Sequence, residues 1–278
     1  MRHSESLSRL RYGLVLCGMI FGLILATVAL TRCSVKEKIP QSPSVHTFRL
    51  EIPRVDEPKF LLVCEEGRYT LLYDTLYRQA AWVAHVLTRQ DTENDNAERK
   101  NNFVVCPAVR AYGWPYATAA DYTRSSYDRG HLVPSADRVQ TQAENNATFR
   151  MSNIAPQTPR LNRVLWNNLE REVRRMAGRL DTLWIVTGSE LKPGLPRIGT
   201  NRVGVPELFF KVLLAKKDND FRAIGFVIPN ADEIAGGFWD YAVTVDSVER
   251  MSGIDFFPNL PDALENRIEA EYDVEWWL

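Results

Sequence analysis

The chain has 278 residues, of which 45% are hydrophobic and 25% are charged, ordinary values for a globular protein with room for one large domain or two small ones. The formal net charge is −1, which excludes a broadly basic surface that would hold nucleic acid by phosphate neutralisation alone. Any site for a polyanion must therefore be a local groove.

The N-terminal region carries an apolar segment. Residues 12–30 form a run of 19 residues without a charge, close to the ~20 that a membrane-spanning helix needs. Three basic residues precede this run against one acidic residue, namely Arg2, Arg9 and Arg11 against Glu5. The positive-inside rule then places residues 1–11 in the cytoplasm and the rest of the chain outside.

Three interpretations of residues 12–30 stay open: an uncleaved transmembrane anchor, a signal peptide cut near Ala29, or a lipoprotein acylated at Cys33. Arg32 stands where a lipoprotein signal requires a small residue, which disfavours the third. Residues 31–58 have the proline, serine and charge content of a linker. We expect the domain at residues 59–278 to be exported to the cell envelope, periplasmic or extracellular, and secreted if the segment is cleaved.

Two of the four cysteines, Cys64 and Cys106, fall in the exported domain. An oxidising compartment would let them form a disulfide, and the alternative is two separate buried thiols. The sequence has no Cys-x-x-Cys pattern, which argues against structural zinc.

The first half of the domain predicts strands. Residues 60–64, 69–73 and 81–87 are apolar, β-branched and aromatic runs separated by turn residues, a pattern typical of a meander. We expect His85, in the third run, to be a core histidine satisfied by the backbone. Residues 90–102 are polar without periodicity and predict a loop, and residues 149–154 predict another strand.

Residues 160–178 predict an amphipathic helix, since apolar side chains recur at helical spacing. The buried stripe consists of Leu161, Leu165, Leu169, Val173 and Met176. Four arginines occupy the polar face and form either a solvated surface or the rim of a groove: Arg163, Arg171, Arg174 and Arg175.

The remaining runs complete an α+β domain with a central mixed or antiparallel sheet. Residues 182–188, 207–214 and 222–229 predict central strands that supply most of the core. We also expect a strand at residues 239–245 and helices at residues 245–252 and 261–272.

Two segments concentrate polar chemistry. Asp128-Arg129-Gly130-His131 places an acid, a guanidinium, a flexible joint and an imidazole in four consecutive positions. Thirty-one residues after the histidine, Asn162 opens the predicted helix with a neutral oxygen ligand.

Glu170 follows Asn162 by eight positions. Eight residues turn a helix by about 800°, roughly 80° past two full turns, so the two side chains share nearly one face. They are about 12 Å apart along an ideal helix, so Glu170 must either reach back towards the N-terminal end of the helix or act without contacting the metal ion directly.

These motifs resemble the DNA/RNA non-specific endonuclease family of the ββα-metal superfamily. The resemblance rests on the order and spacing of three blocks: Asp128-Arg129-Gly130-His131, then Ser152-Asn153-Ile154-Ala155-Pro156-Gln157, then Asn162 with Trp166 and Glu170. Residues 82–84, residues 205–207 with Lys211, and residues 253–258 extend the likeness from about residue 48 to the C-terminus.

The resemblance implies a ββα-metal active site on one side of the sheet and Mg²⁺-dependent, sequence-non-specific hydrolysis of DNA or RNA. His131, with an ordinary pKa of about 6.5, is expected to be the general base. Asn162 would bind Mg²⁺, or another divalent cation such as Mn²⁺, because its carbonyl oxygen suits a hard ion that keeps several waters. Glu170 would order those waters, and Arg129 would hold the phosphate oxygens.

Three further residues are expected at the substrate. Arg99 falls where the family carries a phosphate-binding arginine, with a solvated side chain as the alternative. Asn153 is similar to a family residue that supports the phosphate, and Asp128 is expected to brace the motif rather than to bind metal.

Two other classes of function compete with a nuclease. A catalytically silent nucleic-acid-binding or uptake module would keep the groove without the chemistry, but it does not require both His131 and Asn162. A structural envelope protein would explain residues 12–30 and none of the polar motifs. The preference between DNA and RNA, the oligomeric state and the biological role are not determined by the sequence.

Overall fold

Seven antiparallel strands form the central sheet in a computed structural model that describes residues 49–93, 95–218 and 220–278. The described residues lie within one compact unit, Phe48–Leu278. In chain order the strands are β1 Leu61–Cys64, β2 Tyr69–Asp74, β3 Gln79–Thr88, β4 Asp128–His131, β5 Ile154–Gln157, β6 Thr182–Ser189, β7 Arg197–Ile198, β8 Val203–Gly204, β9 Leu208–Lys217, β10 Asp220–Pro229 and β11 Ala242–Val243. The central sheet has the order β1-β2-β3-β6-β9-β10-β11, while β4 pairs with β5 and β7 with β8.

The helices lie on both faces of this sheet. They are α1 Arg89–Thr92, α2 Pro107–Ala111, α3 Gln142–Ala147, α4 Asn167–Leu180, α5 Val245–Ser252, α6 Asp262–Ala270 and α7 Val274–Trp277. A π-helical turn, Leu161–Trp166, leads directly into α4. Short 3₁₀ turns occupy Pro58–Phe60, Ala119–Tyr122, Ser135–Asp137, Met151–Asn153 and Phe238–Tyr241.

The sheet separates two apolar cores, because successive side chains of a strand point to opposite faces. One face packs against the π turn and α4 through residues such as Val83, Ile185, Leu213 and Ile224. The other packs against α5 and α6 through Trp82, Val186, Val212 and Ala223. The chain is therefore an α+β domain built on a large antiparallel sheet, as predicted.

The β4–β5 pair and the helix that follows it form the ββα unit. The antiparallel register pairs Gly130 with Ala155 and His131 with Ile154. Glycine is required at this point of β4, since a Cβ at Gly130 would lie 2.2 Å from the side-chain oxygen of the buried Gln157. The close packing of β4 on Gln157 sets the position of the histidine that ends the strand.

Two element predictions were wrong in detail. Residues 149–154 do not form one strand, because the Asn153 side chain bonds the backbone of Val133 and Thr148 and the strand starts only at Ile154. The predicted strand at 239–245 is a 3₁₀ turn followed by two strand residues, and Asp240 accepts a hydrogen bond from the Gly237 amide at its start. The predicted helix at residues 261–272 is confirmed as α6, and the short helix α7 follows it outside the predicted range.

Of the two alternatives for Cys64 and Cys106, the structure has the separate buried thiols and not the disulfide. The Cys64 sulfur instead lies 2.9 Å from Nη1 of Arg150, which donates to it. Within the described residues no helix is long and apolar enough to span a membrane, and the segment predicted at residues 12–30 lies outside them.

Candidate active site

His131 ends β4 and is held mainly by aromatic packing. The residue is only 7% exposed, and its ring packs edge-on against Phe149 at 4.9 Å and in a tilted arrangement against Phe103 at 5.7 Å between centroids. Its Nε2 atom has no hydrogen-bond partner among the described residues. The imidazole is therefore fixed in place while one ring nitrogen stays uncommitted.

The surroundings of His131 keep the imidazole neutral. Burial, followed by the positive charges of Arg99 and Arg129, lowers the pKa of His131 to about 3. Only neutral imidazole can accept a proton, so the residue is in its base form throughout the neutral pH range.

A cavity of about 310 Å³ brings most of the predicted residues together. His131, Asn162, Glu170 and Arg99 all contribute to its wall, as does Arg174. This arrangement removes the difficulty raised by the helical spacing of Asn162 and Glu170, since both reach the same space. The π-helical turn that contains Asn162 alters the regular helix at the point where the cavity forms, a common feature of functional sites.

Asp128 orients Asn162. Its carboxylate accepts a 3.0 Å hydrogen bond from Nδ2 of Asn162 and two 2.7 Å bonds from the guanidinium of Arg163. The hydrogen bonds from Arg163 first, and then that from Asn162, hold the pKa of Asp128 below its usual value despite partial burial. Because the amide nitrogen is committed to Asp128, the carbonyl oxygen of Asn162 is the atom left for a ligand. Asp128 therefore fixes the orientation of the Asn162 side chain.

Glu170 has an environment that opposes ionisation. Burial raises the pKa of Glu170 to about 7, although the positive charges of Lys211 and Arg174 act in the opposite direction. No hydrogen bond to its carboxylate is formed by the described residues. A divalent cation in the cavity would favour the ionised carboxylate.

Lys211 lies below this carboxylate on the face of β9 that otherwise carries core residues. It is 1% exposed, its Nζ donates to Oγ1 of Thr187 at 2.6 Å, and it lies 5.0 Å from the ring centroid of Trp166. Burial lowers the pKa of Lys211 to about 8, and the negative charge of Glu170 partly counters that effect. A lysine inside an apolar strand run was the signal in the sequence that a charged partner lies nearby.

Arg174, assigned in the sequence either to a solvated face or to a groove rim, lines the cavity. It donates a 2.9 Å hydrogen bond to Asp137, whose other oxygen lies 3.3 Å from Nε2 of His85. Burial lowers the pKa of His85 to about 4, while hydrogen bonds from His85 and Arg174 outweigh burial and lower the pKa of Asp137 to about 2. His85 thus bonds a carboxylate and not the backbone, contrary to the sequence prediction.

Arg99 and Arg129 place positive charge on two sides of His131. Arg99 donates to Ser135 at 2.5 Å and lies 5.1 Å from the ring centroid of Phe149. Arg129 is exposed, lies 4.4 Å from the ring centroid of Phe103, and lines an adjacent pocket rather than the cavity itself. The two guanidinium groups therefore stack on the two phenylalanine rings that hold His131.

Asn153 is fully buried. Its amide donates to the carbonyl oxygens of Val133 at 3.0 Å and Thr148 at 2.9 Å, and its oxygen accepts from the Val133 amide at 2.9 Å. These bonds fix the chain immediately after His131. Asn153 therefore stabilises the backbone next to His131 and does not line the cavity.

Comparison with known proteins agrees with this geometry. The sequence pattern of the DNA/RNA non-specific endonuclease family matches residues 63–263. A nuclease from Nostoc sp. strain PCC 7120 is 32% identical over 279 residues, which cover 93% of this chain and 99% of that protein. Human mitochondrial endonuclease G is 36% identical over 223 residues, or 76% of this chain and 74% of that protein.

A solved structure supports the same assignment. The crystal structure of the EndoG/EndoGI complex contains a chain with a TM-score of 0.66 and 29% sequence identity, covering 76% of this chain and 89% of that chain. The chain belongs to the DNA/RNA non-specific endonuclease family and is a nucleic-acid hydrolase.

Proposed function

We propose that this protein is a Mg²⁺-dependent, sequence-non-specific endonuclease that hydrolyses phosphodiester bonds of DNA, RNA or both, with His131 as the general base. One observation carries the proposal: a single cavity joins a neutral imidazole, two hard oxygen donors and a guanidinium. Phosphodiester hydrolysis needs an activated water, charge neutralisation at the phosphate and a stabilised leaving oxygen.

The donor set of the cavity fits a hard divalent cation. Asn162 offers a carbonyl oxygen whose amide nitrogen is already committed to Asp128, and Glu170 offers a carboxylate without a hydrogen-bond partner among the described residues. These two residues would hold Mg²⁺, which takes few protein ligands and keeps several waters, and Mn²⁺ has similar preferences. When bound, the ion would neutralise phosphate charge and stabilise the leaving oxygen.

His131 would take a proton from the attacking water. Its pKa of about 3 makes it a weak base in the free protein, because burial first, and then the positive charges of Arg99 and Arg129, disfavour the imidazolium. A bound phosphodiester is negatively charged and would offset those cations, so substrate binding itself would raise the basicity of His131. Arg99 and Arg129 would hold the phosphate oxygens.

A charge-free run at residues 12–30 with arginines before it supports a second part of the proposal, that this segment anchors the domain to a membrane or directs its export. The catalytic domain would then act in the periplasm or outside the cell. Protease added to the outer side of spheroplasts should degrade residues 59–278, and protection of the whole chain would reject this topology.

Digestion of supercoiled plasmid DNA and of a structured RNA by the full chain tests the nuclease assignment. The protein would be purified in a mild nonionic detergent and assayed with Mg²⁺, with Mn²⁺, and with EDTA. We expect cleavage at many positions with either metal and none with EDTA. Binding without cleavage under every condition would instead identify a silent nucleic-acid-binding module.

Arg129→Ala provides a check on the substrate contacts. Arg129 meets phosphate both before and during the reaction, so its loss should weaken binding and lower the rate together. An unchanged KM with a lower kcat would contradict its role in binding.

A further inference from the structure

A cluster of three carboxylates lies far from His131, on the opposite face of the sheet. Asp246 and Glu249 are one turn apart on α5, and Glu269 is near the end of α6. One carboxylate oxygen from each residue lies within 4.8 Å of the other two. The three residues, called the acidic triad below, join the two helices that cover the second core.

Glu269 is the unusual member of the acidic triad. The residue is 5% exposed, and its buried Oε1 atom has no hydrogen-bond partner among the described residues. Burial first, and then the negative charges of Glu249 and Glu265, raise the pKa of Glu269 to about 9. A carboxylate in this position is not compensated by the protein.

The neighbouring groups leave the charge of the acidic triad largely unbalanced. The one ion pair formed by the triad within the described residues joins Asp246 to Arg250 at 4.0 Å, and the Arg250 side chain is 70% exposed. Glu249 accepts a 2.8 Å hydrogen bond from the Phe256 amide through one oxygen, so its other oxygen stays available. Without a cation, a buried carboxyl group facing two others takes up a proton, and a bound cation would let it ionise and act as a ligand.

We propose that the acidic triad is a second metal site that binds Ca²⁺ and ties α5 to α6. Its donors are all carboxylate oxygens, which hard divalent cations prefer. Ligands on opposite sides of Ca²⁺, at 2.3–2.6 Å from the ion, are separated by about 4.6–5.2 Å, and the three oxygens lie within 4.8 Å of one another, close enough to share one ion. Ca²⁺ accepts sites made of several carboxylates, whereas Mg²⁺ keeps several of its waters and takes few protein ligands.

The site would be structural, not catalytic. The acidic triad lies on α5 and α6, which pack on the opposite face of the sheet from α4, and none of its members lines the cavity that contains His131. An ion bound only by the folded protein raises the unfolding temperature by mass action. At a Ca²⁺ concentration about 100 times the Kd, a domain of this size should gain on the order of 5–10 °C.

The experiment compares the full-length wild type with Glu269→Gln and with Glu265→Gln as the matched control. Glu265 lies one turn before Glu269 on the same helix and repels it, yet it is not a member of the acidic triad. Metal-free protein is titrated with Ca²⁺ by equilibrium dialysis, and the unfolding temperature is recorded with Ca²⁺ and with EDTA. Circular dichroism in EDTA establishes that both variants are folded.

We expect Glu269→Gln to bind one Ca²⁺ fewer per chain than the wild type and to lose the Ca²⁺-dependent rise in unfolding temperature, while Glu265→Gln keeps both. The count is a difference between variants, so Ca²⁺ bound at the active site does not affect it. The same number of bound ions in wild type and Glu269→Gln, or an equal temperature rise in both, would overturn the proposal. So would a rise caused by Mg²⁺ and not by Ca²⁺.

Discussion

Replacement of His131 by alanine separates catalysis from binding. A general base contributes about 10²–10⁴-fold to the rate by accepting a proton in the transition state. Arg99, Arg129 and the oxygen donors of the cavity are untouched by the substitution. We therefore expect His131→Ala to lose two to four orders of magnitude in kcat and to bind nucleic acid nearly as well as the wild type.

The structure also bounds the effect of this substitution on stability. The imidazole makes two aromatic contacts, with Phe103 and Phe149, each contributing about 0.5–1.5 kcal/mol. Its buried Nε2 has no partner among the described residues, and leaving such a group unsatisfied costs about 1–3 kcal/mol. The two effects have opposite signs, so the free energy of unfolding should change by no more than about 2 kcal/mol.

Three measurements on the same preparation give the result. Plasmid nicking reports the rate, fluorescence anisotropy with a labelled duplex reports binding, and urea denaturation reports stability. His131→Phe is the matched control, because it keeps an aromatic ring against both phenylalanines without a group that accepts protons. It should be as inactive as His131→Ala.

A substantial residual rate would refute the assignment. If either variant kept more than about a tenth of the wild-type kcat while folded, proton transfer by His131 would not be part of the mechanism. If both variants lost binding in parallel with the rate, the residue would be part of the substrate site instead.

Three further predictions follow from the geometry. Asn162→Ala should raise the Mg²⁺ concentration needed for half-maximal activity more than tenfold and lower the free energy of unfolding by only about 1 kcal/mol. An unchanged Mg²⁺ titration would show that Asn162 has only a structural role. Gly130→Ala should destabilise the fold by about 1–3 kcal/mol and lower activity, because the new Cβ would clash with the buried Gln157. Gly237→Ala is the control, since a Cβ there has no atom within 4 Å, and it should have neither effect. Equal urea midpoints for the two variants would contradict this prediction. The folded-state pKa of His85 is about 4 against about 6.5 in the unfolded chain, so the unfolded state takes up an extra proton and the free energy of unfolding falls by roughly 3 kcal/mol as pH decreases from 6.5 to 4. In urea titrations at several pH values, His85→Gln should make this slope shallower by about 1.4 kcal/mol per pH unit. An identical slope would show that His85 is not the group responsible.

Local sequence chemistry was sufficient for the main elements of the fold. The apolar runs that became β1, β2 and β3 and the central strands β6, β9 and β10 have a composition that favours only extended structure. The helical stripe from Leu161 to Met176 was equally clear from its spacing. His131, Asn162 and Glu170 were singled out because their order along the chain resembles the motifs of the family, and the structure places all three around one cavity.

Contacts between residues distant in sequence were decided by the tertiary structure. The ion pair between Arg174 and Asp137, and the hydrogen bond between Asp137 and His85, depend on how β3, the turn after β4 and α4 pack together. Nothing local distinguishes Arg174 from the solvated arginines beside it. The choice between a disulfide and two buried thiols was open for the same reason, since counting Cys64 and Cys106 cannot reveal which group each sulfur contacts.

The sequence by itself therefore determined most of the elements and the resemblance to the family, because both depend on residue types and their order along the chain. Only the tertiary structure decided that Asp128 orients Asn162, that burial and two arginines lower the pKa of His131, and that Lys211 lies beneath Glu170. Burial and charge act through space and not along the chain. The pKa values of the site residues therefore depend on how the sheet and the helix pack together.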